Sequence, residues 1–324
     1  VSERPLRLGT RRSLLARTQS GHVADLVRAA LGREVELVEV TTDGDRSQAS
    51  NTSLVGSSAT GVFVSALREA LLADEVDLVV HSLKDLPTGA HPGLALAAVP
   101  PREDSRDVLV ARDGLTLGEL TPGSRVGTGS PRRAAQVAAL GLGLEMVPIR
   151  GNIDTRVGYV TSGELDAVVL ARAGLARIGR LDVVTETLDP IQVLPAPGQG
   201  ALAVECRESD TDLLAALREH LDDAGTRACV LAERAVLSTL EGGCSAPIGA
   251  LGEVVEGEDG DELWVRAVAL SPDGALAVRS SAAGPLSDAV GVGTRLATEM
   301  LADGAGQLGQ PGPDDTQEEQ VEER

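Results

Sequence analysis

From Leu6 onward the apolar residues follow two alternating rhythms. Leu6–Thr10 and Val35–Val40 read as strands, and the apolar runs Val76–Val80 and Leu94–Val99 predict buried ones. Between them, Leu14–Leu31 and Val62–Ala73 carry apolar residues at helical spacing. This alternation predicts an α/β fold with a mostly parallel sheet and helices on both faces. The polar Ser/Thr/Gly-rich stretch Thr41–Thr60 predicts a long functional loop. Pro100 and Pro101, followed by the charged stretch Arg102–Asp107, mark a crossing to a second lobe. Its strands are expected at Val108–Ala111, Arg125–Gly127, Leu144–Ile149 and Asp166–Leu170.

The two lobes share a plan. Gly9-Thr10-Arg11-Arg12-Ser13 and Gly127-Thr128-Gly129-Ser130-Pro131-Arg132-Arg133 each join a strand to a helix. Asp77 and Asp166 each lead an apolar strand. Pro195-Ala196-Pro197-Gly198-Gln199-Gly200 marks a second crossing, and Ala201–Glu205 reads as a strand returning to the first lobe. Helices follow at Thr211–His220 and Gly225–Leu240. Strands at Ile248–Val255, Leu263–Leu270 and Leu276–Ser281, then a helix at Leu286–Leu301, predict a small α+β C-terminal domain. The expected division is 1–100 with 199–221, 101–198, 222–304, and a disordered acidic tail over 305–324.

Composition narrows the function. The chain holds one Phe, one Tyr and one Trp, which argues against base-stacking on aromatic platforms. A net charge of −20 argues against nucleic acid and anionic membranes as partners. No apolar run reaches the roughly 18 residues of a membrane span, and no signal pattern opens the chain. The expectation is a cytoplasmic monomer. Cys206, Cys229 and Cys244 are widely spaced and predict neither disulfides nor a metal site.

Arg11, Arg132, Arg133, Arg150, Arg156 and Arg177 fall at strand ends or helix starts, where open α/β sheets bind ligands. Ser13, Thr128 and Ser130 add hydroxyls there. Guanidinium groups match carboxylates at two points, so the pattern predicts a ligand with several carboxylates. His81-Ser82-Leu83-Lys84-Asp85 follows a buried strand, and Lys84 is the only lysine. A carboxylate at Asp85 suits proton transfer or cation stabilisation, and equally a helix N-cap. Cys244 follows Gly242 and Gly243 on a loop, which suits an accessible thiol. Cys206 in a strand and Cys229 on a helix face read as core residues.

Seven motifs in one order carry a resemblance. They are Thr10-Arg11-Arg12-Ser13, Gly61-Val62-Phe63-Val64, His81-Ser82-Leu83-Lys84-Asp85, Gly127 to Arg133, Arg150-Gly151-Asn152-Ile153-Asp154-Thr155-Arg156, Pro195 to Gly200, and Glu241-Gly242-Gly243-Cys244. Together they resemble the porphobilinogen deaminase family. The resemblance implies two similar doubly wound lobes like those of type II periplasmic binding proteins, plus a small cysteine-bearing domain. It implies a transferase that joins four porphobilinogen molecules head to tail, with loss of ammonia, into hydroxymethylbilane. Dipyrromethane would be held on Cys244 through a thioether, and Asp85 would be catalytic. Arg11, Ser13, Ser82, Lys84, Thr128, Ser130, Arg132, Arg133, Arg150, Arg156 and Arg177 would grip carboxylates. Gln19, Phe63 and Gln199 would line the site. Ser57, Ser58 and Thr60 stand where many members of the family have lysines.

Two other readings compete. A solute-binding protein for a polycarboxylate explains the lobes and arginines but not Cys244. A cysteine-dependent acyl transferase needs a histidine base, and the nearest in sequence, His220, falls on an expected exposed helix.

Overall fold

The computed structural model describes residues 4–40, 59–241, 247–257 and 260–309. Residues 41–58 of the expected loop Thr41–Thr60, the Gly242-Gly243-Cys244 segment and residues 310–324 lie outside the described residues; Ala59 and Thr60 of that loop begin a helix. The chain divides into two compact units. Unit 1 is Val1–Arg106, Leu170–Val184 and Gly198–Val230; unit 2 is Asp107–Val169, Thr185–Pro197 and Leu231–Arg324.

In unit 1, strands β1 (Leu6–Thr10), β2 (Val35–Glu39), β3 (Leu78–Ser82), β4 (Leu94–Ala98) and β10 (Leu202–Arg207) form one sheet in the order β2-β1-β3-β10-β4. Strand β1 is parallel to β2 and β3, whereas β10 runs antiparallel between β3 and β4. The expected mostly parallel sheet therefore holds one reversed strand, because the chain re-enters this unit after its second crossing. Alternation along β3 sends side chains to opposite faces. Leu78 and Val80 pack with Val23 and Val27 of helix α1 (Leu14–Leu31) and Leu217 of helix α6 (Thr211–Leu221). Val79 packs with Leu67 and Leu71 of helix α2 (Ala59–Leu72). Helices thus cover both faces, as predicted.

Unit 2 holds a second five-stranded sheet. Strands β5 (Asp107–Ala111), β6 (Arg125–Thr128), β7 (Glu145–Pro148), β8 (Ala167–Ala171) and β9 (Glu186–Thr187) take the order β7-β6-β8-β5-β9. Its core joins Leu109, Val126, Val169 and Leu188 to Val137 of helix α3 (Pro131–Ala138). Helix α4 (Ile153–Thr161) follows β7. The antiparallel edge strand β9 has no counterpart in the predicted pattern; two residues are too few to show a period.

A three-stranded antiparallel sheet, β11 (Ile248–Gly257), β12 (Gly260–Leu270) and β13 (Ala277–Pro285), carries helix α8 (Ala289–Ala302). This is the expected α+β element, but it groups with unit 2. Leu251, Val268 and Leu270 bury against Ala135 of α3 and Leu194. Helix α7 (Ala224–Glu241) precedes the small sheet, and its buried Glu233 accepts a hydrogen bond from Gly252 N at 2.8 Å.

Two boundaries move. Residues 170–184, expected in the second lobe, belong to unit 1 with helix α5 (Arg172–Arg177). Arg172 N donates to Arg106 O, and its guanidinium meets Glu103 and Asp104. Residues 305–309, expected in the tail, are ordered. Ala305–Gln307 forms a 3-10 turn in which Ala305 is fully buried, so apolar contact orders the chain past 304.

Candidate functional site

In unit 1 the strand ends gather five of the predicted residues. Arg11, Ser13, Gln19, Ser82 and Asp85 line one pocket of about 100 Å³, with His81 and Val80 in its wall. Each arrives through local structure. Arg11 and Ser13 follow β1, and Ser13 caps α1 by accepting a hydrogen bond from Ala16 N at 3.3 Å. Gln19 lies one turn along α1, is buried, and donates through Nε2 to Ser82 Oγ at 2.9 Å. That bond ties α1 to the end of β3. Asp85 closes a 3-10 turn over Leu83–Asp85 and is exposed. It does not cap a helix, so the capping alternative fails.

Lys84 points elsewhere. Its Nζ reaches Oε1 of buried Gln199 at 3.2 Å. Gln199 Nε2 donates to Ser105 O at 2.7 Å, and Arg102 Nε donates to Gln199 O at 2.7 Å. Gln199 thus pins the two crossing segments to the Lys84 turn. Gly200 beside it has φ +89, and a Cβ there would collide with Glu103 O. Arg177 donates from Nη2 to Gly200 O at 2.6 Å. Burial lowers the Arg177 pKa, and nearby Glu103 partly offsets this.

Unit 2 presents a cationic cluster at the ends of β6 and β7. Thr128 Oγ1 accepts from Ser130 N at 3.2 Å, and Ser130 opens α3 with its hydroxyl uncommitted to the cap. Gly129 sits against Ile149; a Cβ there would lie 2.6 Å from Ile149 O and 3.7 Å from Arg156 Nη2. Only glycine leaves that space clear. Arg132 and Arg133 are not the open cations the sequence predicts. Each is 5% exposed. Arg133 Nε and Nη2 donate to Asp107 Oδ1 at 3.0 and 2.8 Å, and Arg132 Nη2 donates to Oδ2 at 2.7 Å. Arg132 Nη1 also donates to Leu194 O at 2.5 Å, and Arg133 Nη1 to Val169 O at 3.1 Å. Fully buried Asp107 organises this pair.

Two guanidinium groups share the Asp107 carboxylate. Half-buried Arg156 adds a third guanidinium, and its buried Nε has no hydrogen-bond partner among the described residues. Burial and then the charge of Arg133 push the Arg156 pKa down. Arg150 is exposed at the same end. Guanidinium groups in such a cluster can pair with carboxylates.

Some predicted residues lie outside this geometry. Phe63 falls in α2, but its side chain is outside the described residues. Cys244 is outside them too. Cys206 and Cys229 are buried, as predicted, and burial pushes the Cys206 thiol up to about 11. Sequence reasoning missed Asp107 and the Arg68–Glu205 pair. The latter had a signal: Glu205 is a charge inside the apolar run Leu202–Cys206.

Residues 6–215 match the family model "Porphobilinogen deaminase, dipyromethane cofactor binding domain", and 227–302 match "Porphobilinogen deaminase, C-terminal domain". A porphobilinogen deaminase of Mycobacteroides abscessus is 59% identical over 305 residues, covering 93% of this chain and 98% of that protein. Those of Nocardia farcinica and Mycobacterium tuberculosis are each 58% identical over 94% of this chain, covering 88% and 98% of their own lengths. Among solved structures, an ancestral cationic amino acid solute binding protein aligns with TM-score 0.42 and 18% identity, over 66% of this chain and 87% of its own. The periplasmic aliphatic sulphonate binding protein SsuA of Escherichia coli aligns with TM-score 0.39 and 15% identity, over 74% and 72%.

Proposed function

The chain belongs to the porphobilinogen deaminase family, and from that premise we propose that Asp85 is its catalytic carboxylate and Cys244 its cofactor attachment. The reaction joins four porphobilinogen molecules head to tail into hydroxymethylbilane, releasing ammonia, with dipyrromethane as cofactor. Bound dipyrromethane supplies the free pyrrole carbon to which the first porphobilinogen is joined. The other roles belong to the chain's own residues.

One observation supports the role of Asp85 most directly: the pocket that contains it also contains Arg11, Ser13, Gln19 and Ser82. A carboxylate there takes a pyrrole N–H as a hydrogen-bond donor and stabilises the positive charge left as ammonia departs. Arg11 and the Ser13 and Ser82 hydroxyls hold ligand carboxylates beside it. Lys84, fixed by Gln199, keeps a cation at the same turn. Arg177 steadies the Gly200 segment and supplies a half-buried cation. In unit 2, Thr128, Ser130, Arg150 and Arg156 bind further carboxylates, with Arg132 and Arg133 supplying charge from beneath. Gln199 acts on the site through Lys84, and Phe63 is assigned to it by resemblance.

The other two thiols support attachment at Cys244. Cys206 is buried in the core cluster of the unit 1 sheet and Cys229 is buried on helix α7, where an adduct of two pyrroles has no room. Cys244 is the remaining cysteine. The proposal includes a cytoplasmic monomer without nucleic-acid partners. The net charge of −20 supports the last point, and no described helix is long and apolar enough to cross a membrane. Light scattering should give the mass of one chain.

Asp85→Asn tests the catalytic role. The variant should keep its circular dichroism and its cofactor while turnover falls at least about 100-fold. Turnover within a few-fold of the parent would remove Asp85 from the mechanism.

A further inference from the structure

Behind the pocket in unit 1 lies a buried charge network that the reaction as described does not use. Glu205 on β10 is 4% exposed, His81 on β3 6% and Arg68 on α2 7%. Arg68 grips the carboxylate at two points, Nε to Oε2 at 3.0 Å and Nη2 to Oε1 at 2.7 Å. His81 Nε2 lies 3.2 Å from Oε2, off the straight line of a good hydrogen bond. Strand register explains the meeting. Ala203 pairs with His81, and Glu205 pairs with Val79, so Glu205 and His81 are diagonal neighbours on one sheet face. Arg68 comes down on that face from α2.

Stability does not account for the network. Charges taken from water into a core recover little net energy, and apolar side chains of the same volume hold a sheet as well. Orientation does account for it. A carboxylate can only accept, so the imidazole nitrogen facing Glu205 carries hydrogen. The attraction of that N–H to the carboxylate holds the ring against Glu205. His81 is on the wall of the pocket, next to Ser82 and four residues before Asp85. Burial alone would raise the Glu205 pKa, but His81 and Arg68 hold its carboxyl down at about 2, so the anchor stays charged.

We propose that Glu205, braced by Arg68, is a positioning residue for the condensation, acting through His81 on the wall of the pocket that contains Asp85. The inference rests on that pocket being the reaction site. Its test is separate, because it reads the coupling of Glu205 to His81 and not the role of Asp85.

The experiment is a double-variant cycle on the cofactor-loaded enzyme. Glu205→Asp keeps the charge that Arg68 needs but withdraws it from His81. It should lower kcat roughly 10- to 100-fold, with KM within about twofold and circular dichroism unchanged. His81→Gln should do the same, and the double variant should be no slower than the worse single one. Three results would overturn the proposal: an unchanged kcat in Glu205→Asp, a loss confined to KM, or losses that multiply in the double variant. If Glu205→Asp does not fold, Arg68→Lys, which keeps the charge without the two-point grip, takes its place in the cycle with the same outcomes. If Asp85→Asn retains turnover while the cycle shows coupling, the reading of Asp85 fails and the positioning role of Glu205 stands.

Discussion

Replacing Asp107 by Asn should destabilise unit 2 far more than a single amide for a carboxylate does on a surface. Asp107 is fully buried and takes hydrogen bonds from two guanidinium groups that are each 5% exposed. Burial lowers the Arg132 pKa and the Arg133 charge adds to that, while Asp107 opposes both. Without the carboxylate, two buried cations lie close together, with neutral acceptors at Leu194 O and Val169 O. Removing one partner of a buried ion pair costs about 3–5 kcal/mol. At a few degrees per kcal/mol this is a loss of about 10 °C in melting temperature. The chain has one tryptophan, Trp264 on β12 in unit 2, so its fluorescence during urea unfolding reports the unit concerned. Arg132→Met added to Asp107→Asn removes one surplus cation and should recover part of the loss. A midpoint shift worth less than about 1 kcal/mol in Asp107→Asn, or no recovery in the double variant, would refute the charge argument.

Other perturbations follow the same physics. Gly200→Ala combines a φ of +89 with a collision against Glu103 O, and should cost about 2 kcal/mol or more in urea unfolding. Gly127→Ala would place a Cβ 2.5 Å from Leu165 Cδ1, and this overpacking should cost about 1–3 kcal/mol by the same assay. The depressed Glu205 carboxyl gives an acid limit. Its stabilising contribution is complete above the unfolded value of about 4.3 and disappears as pH falls through about 2. Unfolding free energy should therefore fall over that window, and the slope should flatten in Glu205→Gln.

Much of the architecture was legible in the chain. Period-two and period-3.6 patterns gave β1 and α1 with their observed ends, because each presents one continuous apolar face. The same pattern could not show that β10 runs antiparallel between β3 and β4, since strand direction leaves no mark on side-chain alternation. The strand-end motifs led to Arg11, Ser13, Ser82 and Asp85, which the fold brings into one pocket. Arg132 and Arg133 are buried, where the strand-end pattern predicts open cations. Their partner Asp107 is 25 and 26 residues away and begins a strand, where nothing local distinguishes it from a surface carboxylate. Glu205 is the instructive miss: an acidic residue in an apolar strand implies a buried cation, and Arg68 is that cation.

The most direct measurement is the intact mass of the purified protein under denaturing conditions, for the parent and for Cys244→Ser. We expect the parent to exceed its sequence mass by two porphobilinogen units less two ammonias, and the variant to show its sequence mass alone. The same adduct on Cys244→Ser would contradict the attachment. A parent that stays unmodified and inactive after incubation with porphobilinogen would contradict the cofactor chemistry itself.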